Sequence, residues 1–166
     1  MSNDTPAQPA ALCAQARQRV ASGKPLEALL LYDQALALNP LHALAYADRG
    51  TTHAMLERFE PALADLQRAL ALGASSAPLY CTLGNVRKAQ QQFDDALDWY
   101  GKAIVTDPAY ALSYYNRGTL FQQLGRNAAS LADFEKCLSF QPEGALRGRI
   151  TQHITALRAA LASPAA

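Results

Sequence analysis

Long apolar runs are missing from this chain. No stretch approaches the roughly eighteen consecutive apolar residues of a membrane span, and the opening MSNDTPAQPA lacks the basic flank and apolar core of a signal peptide. A cytoplasmic location is expected. Charge is also sparse, at 17% of residues with a formal net charge of +1, and Lys and Arg are dispersed, so there is no field to draw in nucleic acid or a membrane surface. Neither is expected as a partner. Cys13, Cys81 and Cys137 are odd in number and far apart, which implies neither a disulfide framework nor a metal pair and suits a reducing compartment. His42, His53 and His153 have no His or carboxylate at paired-ligand spacing, so no metal or other cofactor is expected. There is no glycine-rich phosphate loop and no nucleophile elbow. Asp94-Asp95 opens a helix, where acids meet the helix dipole, and is not read as an acid/base pair. An enzyme is not expected.

What remains is abundant apolar material. Half of the 166 residues are apolar or aromatic, enough for a continuous core without disulfide or metal support. The stretch Ala77 to Tyr110, APLYCTLGNVRKAQQQFDDALDWYGKAIVTDPAY, reads as two short amphipathic helices closed by Asp107-Pro108. Stepping thirty-four residues from Pro108 reaches Pro142 forwards and Ala74 and Pro40 backwards, and the same step aligns Tyr80 with Tyr46 and Tyr114. A fixed period of this size marks an all-α solenoid of antiparallel helix pairs.

The chain then divides into a flexible arm over 1–8, four pairs over 9–42, 43–76, 77–110 and 111–144, a single helix over 145–162, and a tail over 163–166. Turns within pairs fall at Ser22-Gly23-Lys24-Pro25, near Glu57-Arg58, and at Gly125-Arg126-Asn127. The pairs stop at Asn39-Pro40, Leu72-Gly73-Ala74, Asp107-Pro108 and Gln141-Pro142. In the last helix Leu146, Ile150, Ile154, Leu157 and Leu161 recur every three or four residues. That apolar stripe should cover the open end of the fourth pair.

These residues resemble the tetratricopeptide repeat (TPR) family over about residues 9 to 144. In the third unit Tyr80, Leu83-Gly84, Ala96, Tyr100, Ala103 and Pro108 match the family's aromatic, Leu-Gly, Ala, aromatic, Ala and Pro. The second unit matches at Tyr46, Gly50, Ala62 and Ala69, and the fourth at Tyr114, Gly118, Phe121, Ser130, Phe134 and Pro142. Departures are Leu12 and Ala16 in the first unit, and Arg19, His53 and Arg87 where an aromatic is usual. The resemblance implies a right-handed superhelix whose first helices line a concave groove.

One pattern comes from the chain itself. Arg49 and Arg117 are each followed by an acid, Asp65 and Asp133, whereas the same places hold Gln15/Leu31 and Leu83/Trp99 in units one and three. Charge exchanges with charge and bulk with bulk, which predicts contact between the two helices of a repeat, with Arg49 pairing Asp65 and Arg117 pairing Asp133. Cys13 with Cys81, Arg19 with Arg87 and Thr51 with Thr119 also recur at twice the repeat length, pointing to duplication of a two-repeat ancestor.

Mapping the family's groove onto this sequence gives Arg17 in unit one and Leu44, Asp48, Thr51 and Met55 in unit two. It adds Cys81, Asn85 and Lys88 in unit three, and Leu112, Tyr115, Asn116 and Thr119 in unit four. Cys13, Thr82 and Gln123 lie at neighbouring groove places. This mix suits an extended or terminal segment of another protein. Arg17, Arg19, Arg49, Arg87, Lys88 and Arg117 face Asp48 alone on the first helices, which favours a mildly acidic partner. Some relatives clamp chaperone tails with two asparagines and surrounding basic residues. Asn85 and Asn116 stand at the asparagine places, but Cys81, Leu146 and Ile150 stand at basic ones, leaving Lys88 and Arg149 as the available cations. The resemblance thus implies a non-enzymatic binding module or adaptor. The alternative is a self-assembling scaffold, a homo-oligomer joined through repeat edges or the 146–161 helix.

Overall fold

The computed structural model describes residues 7–162. Among them there is no strand, and the helices pair consecutively: α1 (Ala7–Ala21) with α2 (Pro25–Leu38), α3 (Ala43–Met55) with α4 (Phe59–Ala71), α5 (Ala77–Ala89) with α6 (Phe93–Thr106), and α7 (Ala111–Gln123) with α8 (Asn127–Ser139). A longer α9 (Gly144–Ala162) packs on α8. The chain is an all-α assembly of antiparallel helix pairs. The expected arm lies mostly, and the tail wholly, outside the described residues. Helix α1 begins at Ala7, two residues ahead of the expected first pair, and takes Pro9 into its first turn, where a missing N–H costs no helical hydrogen bond.

The described residues form two compact units, one ending at Ser75 and the other beginning at Ser76. In the first, Cys13, Ala16, Ala28, Tyr32, Ala35, Leu36 and Ala45 make one buried cluster. In the second, Cys81, Ala96, Tyr100, Ala103 and Leu120 make another, and Tyr114, Phe134, Cys137, Ile150, Ile154 and Leu157 a third. Alanine fills many of these positions because two helix axes must come within about 8 to 10 Å, leaving little room for a long side chain. Ile150, Ile154 and Leu157 are buried against α8 within one chain, as expected of a covering helix, whereas Leu161 is exposed.

The repeat is visible in the backbone as well as in the side chains. The turn from first to second helix places Gly23, Glu57, Gln91 and Gly125, each thirty-four residues from the next, at φ between +56° and +74°. Glycine adopts this left-handed conformation without steric cost, and Glu57 and Gln91 are held there by the flanking helices. Exits from the second helices alternate. Asn39 and Asp107 leave extended, their side chains accepting from the backbone N–H of Leu41 at 3.1 Å and Ala109 at 3.0 Å, while Gly73 and Gln141 leave with φ of +86° and +54°. The two-repeat period expected from the sequence is therefore a period of turn geometry too.

Both inferred ion pairs form. Arg49 donates through Nε and Nη2 to the two carboxylate oxygens of Asp65, each at 2.7 Å, and Arg117 donates through Nε and Nη2 to Asp133, each at 2.8 Å. These are bidentate contacts to carboxylates that are nearly buried. Arg49 also bonds Asp33 of the preceding pair at 2.6 Å, whereas Gly101 stands at the corresponding place before Arg117.

His53 stands on α3 where α7 has Phe121. Burial holds the His53 imidazole below its ordinary pKa, only partly opposed by Asp65, and its Nδ1 is buried without a hydrogen-bond partner among the described residues. A depressed histidine pKa means that the unfolded chain takes up the proton first. Stability is complete above about pH 6.5 and is lost as pH falls through the folded value. Thermal melts between pH 7.5 and 5 should show a smaller acid-side loss for His53→Phe than for the parent chain; equal losses would remove His53 as a contributor.

Candidate functional site

In the first unit, four of the expected residues come together. Arg17 on α1 donates to Asp48 on α3 at 2.8 Å, and with Thr51 and Met55 they line a shallow pocket of about 130 Å³ completed by Val20, Tyr32 and Thr52. Burial raises the Asp48 carboxyl above its ordinary pKa even with Arg17 beside it. The Thr51 hydroxyl donates back to the Ala47 carbonyl. Leu44 is exposed and lies apart from the pocket lining.

In the second unit, Asn85 is exposed on α5 and its Oδ1 accepts from the buried Tyr100 hydroxyl at 2.8 Å. With the oxygen engaged, the carboxamide presents its NH₂ outward as a donor. Lys88, one helical turn further on, is half-buried, and burial lowers its pKa. It makes no ion pair among the described residues. On α7, Asn116 is half-buried, and its backbone carbonyl accepts from the Thr119 hydroxyl at 2.7 Å. Leu112 is 38% exposed. Cys81 departs from its expected place in a groove: it is 4% exposed, with its sulfur 3.3 Å from the Ser113 hydroxyl, and burial pushes its thiol pKa up. The small residue fills the approach of α7 to α5 and offers no surface.

Three side chains engage Tyr115. Its ring meets Phe134 and His153 edge-on at 5.8 and 6.3 Å between centroids, and the Arg149 guanidinium lies 5.5 Å from it. His153 stacks on Phe134 at 4.6 Å. The covering helix α9 therefore supplies Arg149 and His153 beside Tyr115. The expected surplus of positive charge is largely spent, because Arg17 meets Asp48, Arg19 meets Glu27, and Arg49 and Arg117 meet their aspartates. Among the described residues no group of His, Cys, Asp and Glu could hold a metal, and no helix is long and apolar enough to cross a membrane.

The Tyr100 contact to Asn85 is absent from the sequence-based expectation, although a signal existed. Tyr32 and Tyr100 occur where the first helix carries Arg17 or Asn85, and Leu66 and Phe134 occur where it carries Thr51 or Thr119. That is the same kind of linked exchange that revealed the aspartate pairs.

Comparison with known proteins agrees with this architecture. Family models described as "Tetratricopeptide repeat" match residues 13–77 and 111–143, and one described as "TPR repeat" matches residues 84–125. Tetratricopeptide repeat protein 8 of Caenorhabditis elegans is 31% identical over 134 residues, 80% of this chain and 26% of that protein. The tetratricopeptide repeat and J domain-containing co-chaperone DNJ1 of Fusarium oxysporum is 25% identical, over 89% of this chain and 28% of its own. A solved structure of Pseudomonas aeruginosa pilF superposes with a TM-score of 0.83 at 18% identity, over 96% of this chain and 71% of that one, which shows the fold alone. The chain spans about a quarter or less of the length of the first curated relatives it matches. The matched segments reach into all four helix pairs, and the chain belongs to the tetratricopeptide repeat family, whose repeats are generally protein–protein interaction modules.

Proposed function

We propose that this chain is a non-enzymatic module that holds an extended segment of another protein against its first helices. The observation that carries the proposal is Asn85, an exposed carboxamide whose oxygen is occupied by a buried tyrosine, so that it offers a fixed N–H donor to a peptide carbonyl or carboxylate. Asn116 on the next first helix is the second polar contact. Leu112 and the half-buried Tyr115 supply apolar contact, as Leu44 and Met55 do in the first unit. Lys88 and Arg149 are the cations for a mildly acidic segment. The burial of Ile150, Ile154 and Leu157 within one chain favours this function over assembly by exchange of α9. Free, buried Cys13, Cys81 and Cys137 fit the reducing, cytoplasmic setting.

A random peptide library displayed on phage and selected on the full chain supplies the probe. Asn85→Ala with Asn116→Ala should weaken the selected peptides roughly tenfold or more, while the melting temperature changes little. Asn85→Asp keeps an acceptor for Tyr100 but replaces the outward donor with a charged carboxylate oxygen, so it should weaken them as well. Peptides that bind all three proteins equally would move the site away from these asparagines.

A further inference from the structure

Helix α2 carries leucine on both faces. Leu29 and Leu36 point into the core, yet Leu26 and Leu30 are 56% and 64% exposed. The corresponding positions are exposed in every other repeat, and there they hold Glu60 and Ala64, Asp94 and Asp98, and Ala128 and Ala132. A leucine ridge thus stands on the outer side of the first repeat alone. An apolar face of this kind on a helix that already has its core partner marks a second contact surface.

Charge around the ridge indicates what covers it. At the N-terminal end of α2, Arg19 and Lys24 both reach Glu27, at 3.2 and 3.1 Å, two cations to one acid. Further along, Asp33 and Asp65 share Arg49, two acids to one cation. Each α2 therefore has an unbalanced positive end and an unbalanced negative stretch, with the leucines between them. Two such helices running antiparallel match both features at once. If Leu26 lies against Leu30 of a second chain and the reverse, Asp33 of each comes opposite the Gly23-Lys24 turn of the other. A parallel arrangement, or an antiparallel one centred on Asp33, sets like charges together.

We propose that the outer face of α2 is a self-association surface on which a second copy of this chain docks in a two-fold, antiparallel α2 to α2 contact. This surface lies on the outer side of the second helix, so the residues assigned to peptide binding on the first helices take no part in it. With one helix from each chain the contact is small, and the dimer is accordingly weak and concentration-dependent.

Sedimentation velocity on the full chain, from micromolar to roughly millimolar concentration, should show monomer passing to dimer. Leu30→Glu should shift that transition at least tenfold upward, with an unchanged melting curve because Leu30 is exposed. Asp33→Lys and Lys24→Asp should each weaken the dimer, and the doubly substituted chain should recover it. Mixed Leu26→Cys and Leu30→Cys chains should form a disulfide-linked heterodimer on mild oxidation, with Ala64→Cys as the unreactive control; the three native thiols are buried. A chain that stays monomeric throughout, or a dimer that survives Leu30→Glu, would overturn the proposal. Loss of the dimer in Leu30→Glu without the 26-to-30 cross-link would overturn its antiparallel register.

Discussion

Asp133→Ala should destabilise the protein by about 2 to 3 kcal/mol, and by more than Asp65→Ala, although the two aspartates make the same bidentate contact. The difference lies in what each arginine keeps. Removing Asp65 leaves Arg49 bonded to Asp33 at 2.6 Å, so the loss should be nearer 1 kcal/mol. Removing Asp133 leaves Arg117 with no carboxylate among the described residues, since Gly101 stands where Asp33 does two repeats earlier. A guanidinium that is only 27% exposed and has lost its partner carries an uncompensated desolvation cost. Chemical denaturation of both variants would measure the gap. Copying the third repeat's solution, Arg117→Leu with Asp133→Trp, should recover at least half of the loss, because Leu83 and Trp99 already occupy those places with apolar packing and Trp99 stacks on Tyr80 at 5.7 Å. Equal losses for the two aspartates would mean that the contact to Asp33 contributes nothing.

The second large effect is expected at Gly84. A Cβ there would lie 2.5 and 2.7 Å from the ring of Tyr100, a side chain with no exposed surface. Alanine normally stabilises a helix interior over glycine by up to about 1 kcal/mol. Here the clash exceeds that gain, because the ring is enclosed by Ala96, Ala103 and Leu120 and cannot retreat, so Gly84→Ala should cost about 2 kcal/mol net. Moving the ring also moves the hydroxyl that orients Asn85, so peptide binding should fall with stability. Two other glycines calibrate the effect. At Gly118 the nearest atoms are 3.3 Å away and the cost should be slight, and at Gly101 nothing lies within 4 Å, so alanine should stabilise. Melting temperatures of the three variants should rank Gly101→Ala above Gly118→Ala above Gly84→Ala.

The helix pairs and their partners were legible because they rest on covalent spacing. A thirty-four-residue step that returns aromatic, glycine, alanine and proline to register points to stacked helix pairs, and the Arg/Asp exchange between alternate repeats points to two interhelical contacts. The contact of Arg49 with Asp33 was hidden. It joins one pair to the next, and among the described residues only one copy of it exists, so no second repeat offers a matched exchange. Cys81 was misplaced for a related reason. Family position puts its Cα on the inner side of α5, but the close approach of α7 through Ser113 closes over a side chain that small. Likewise the rotamer that aims Arg149 at Tyr115 depends on how α9 lies on α8, which spacing within α9 does not fix.

The double engagement of Arg49 has a mechanical side. One guanidinium ties α2, α3 and α4 together, but its two halves differ in exposure: the Asp65 side chain is 9% exposed and that of Asp33 57%. Mobile ions screen an exposed pair and hardly reach a buried one. Added salt should therefore slacken the joint between the first two repeats while each repeat stays locked by its own buried contacts, which makes ionic strength a control on flexing at that joint, with folding little affected.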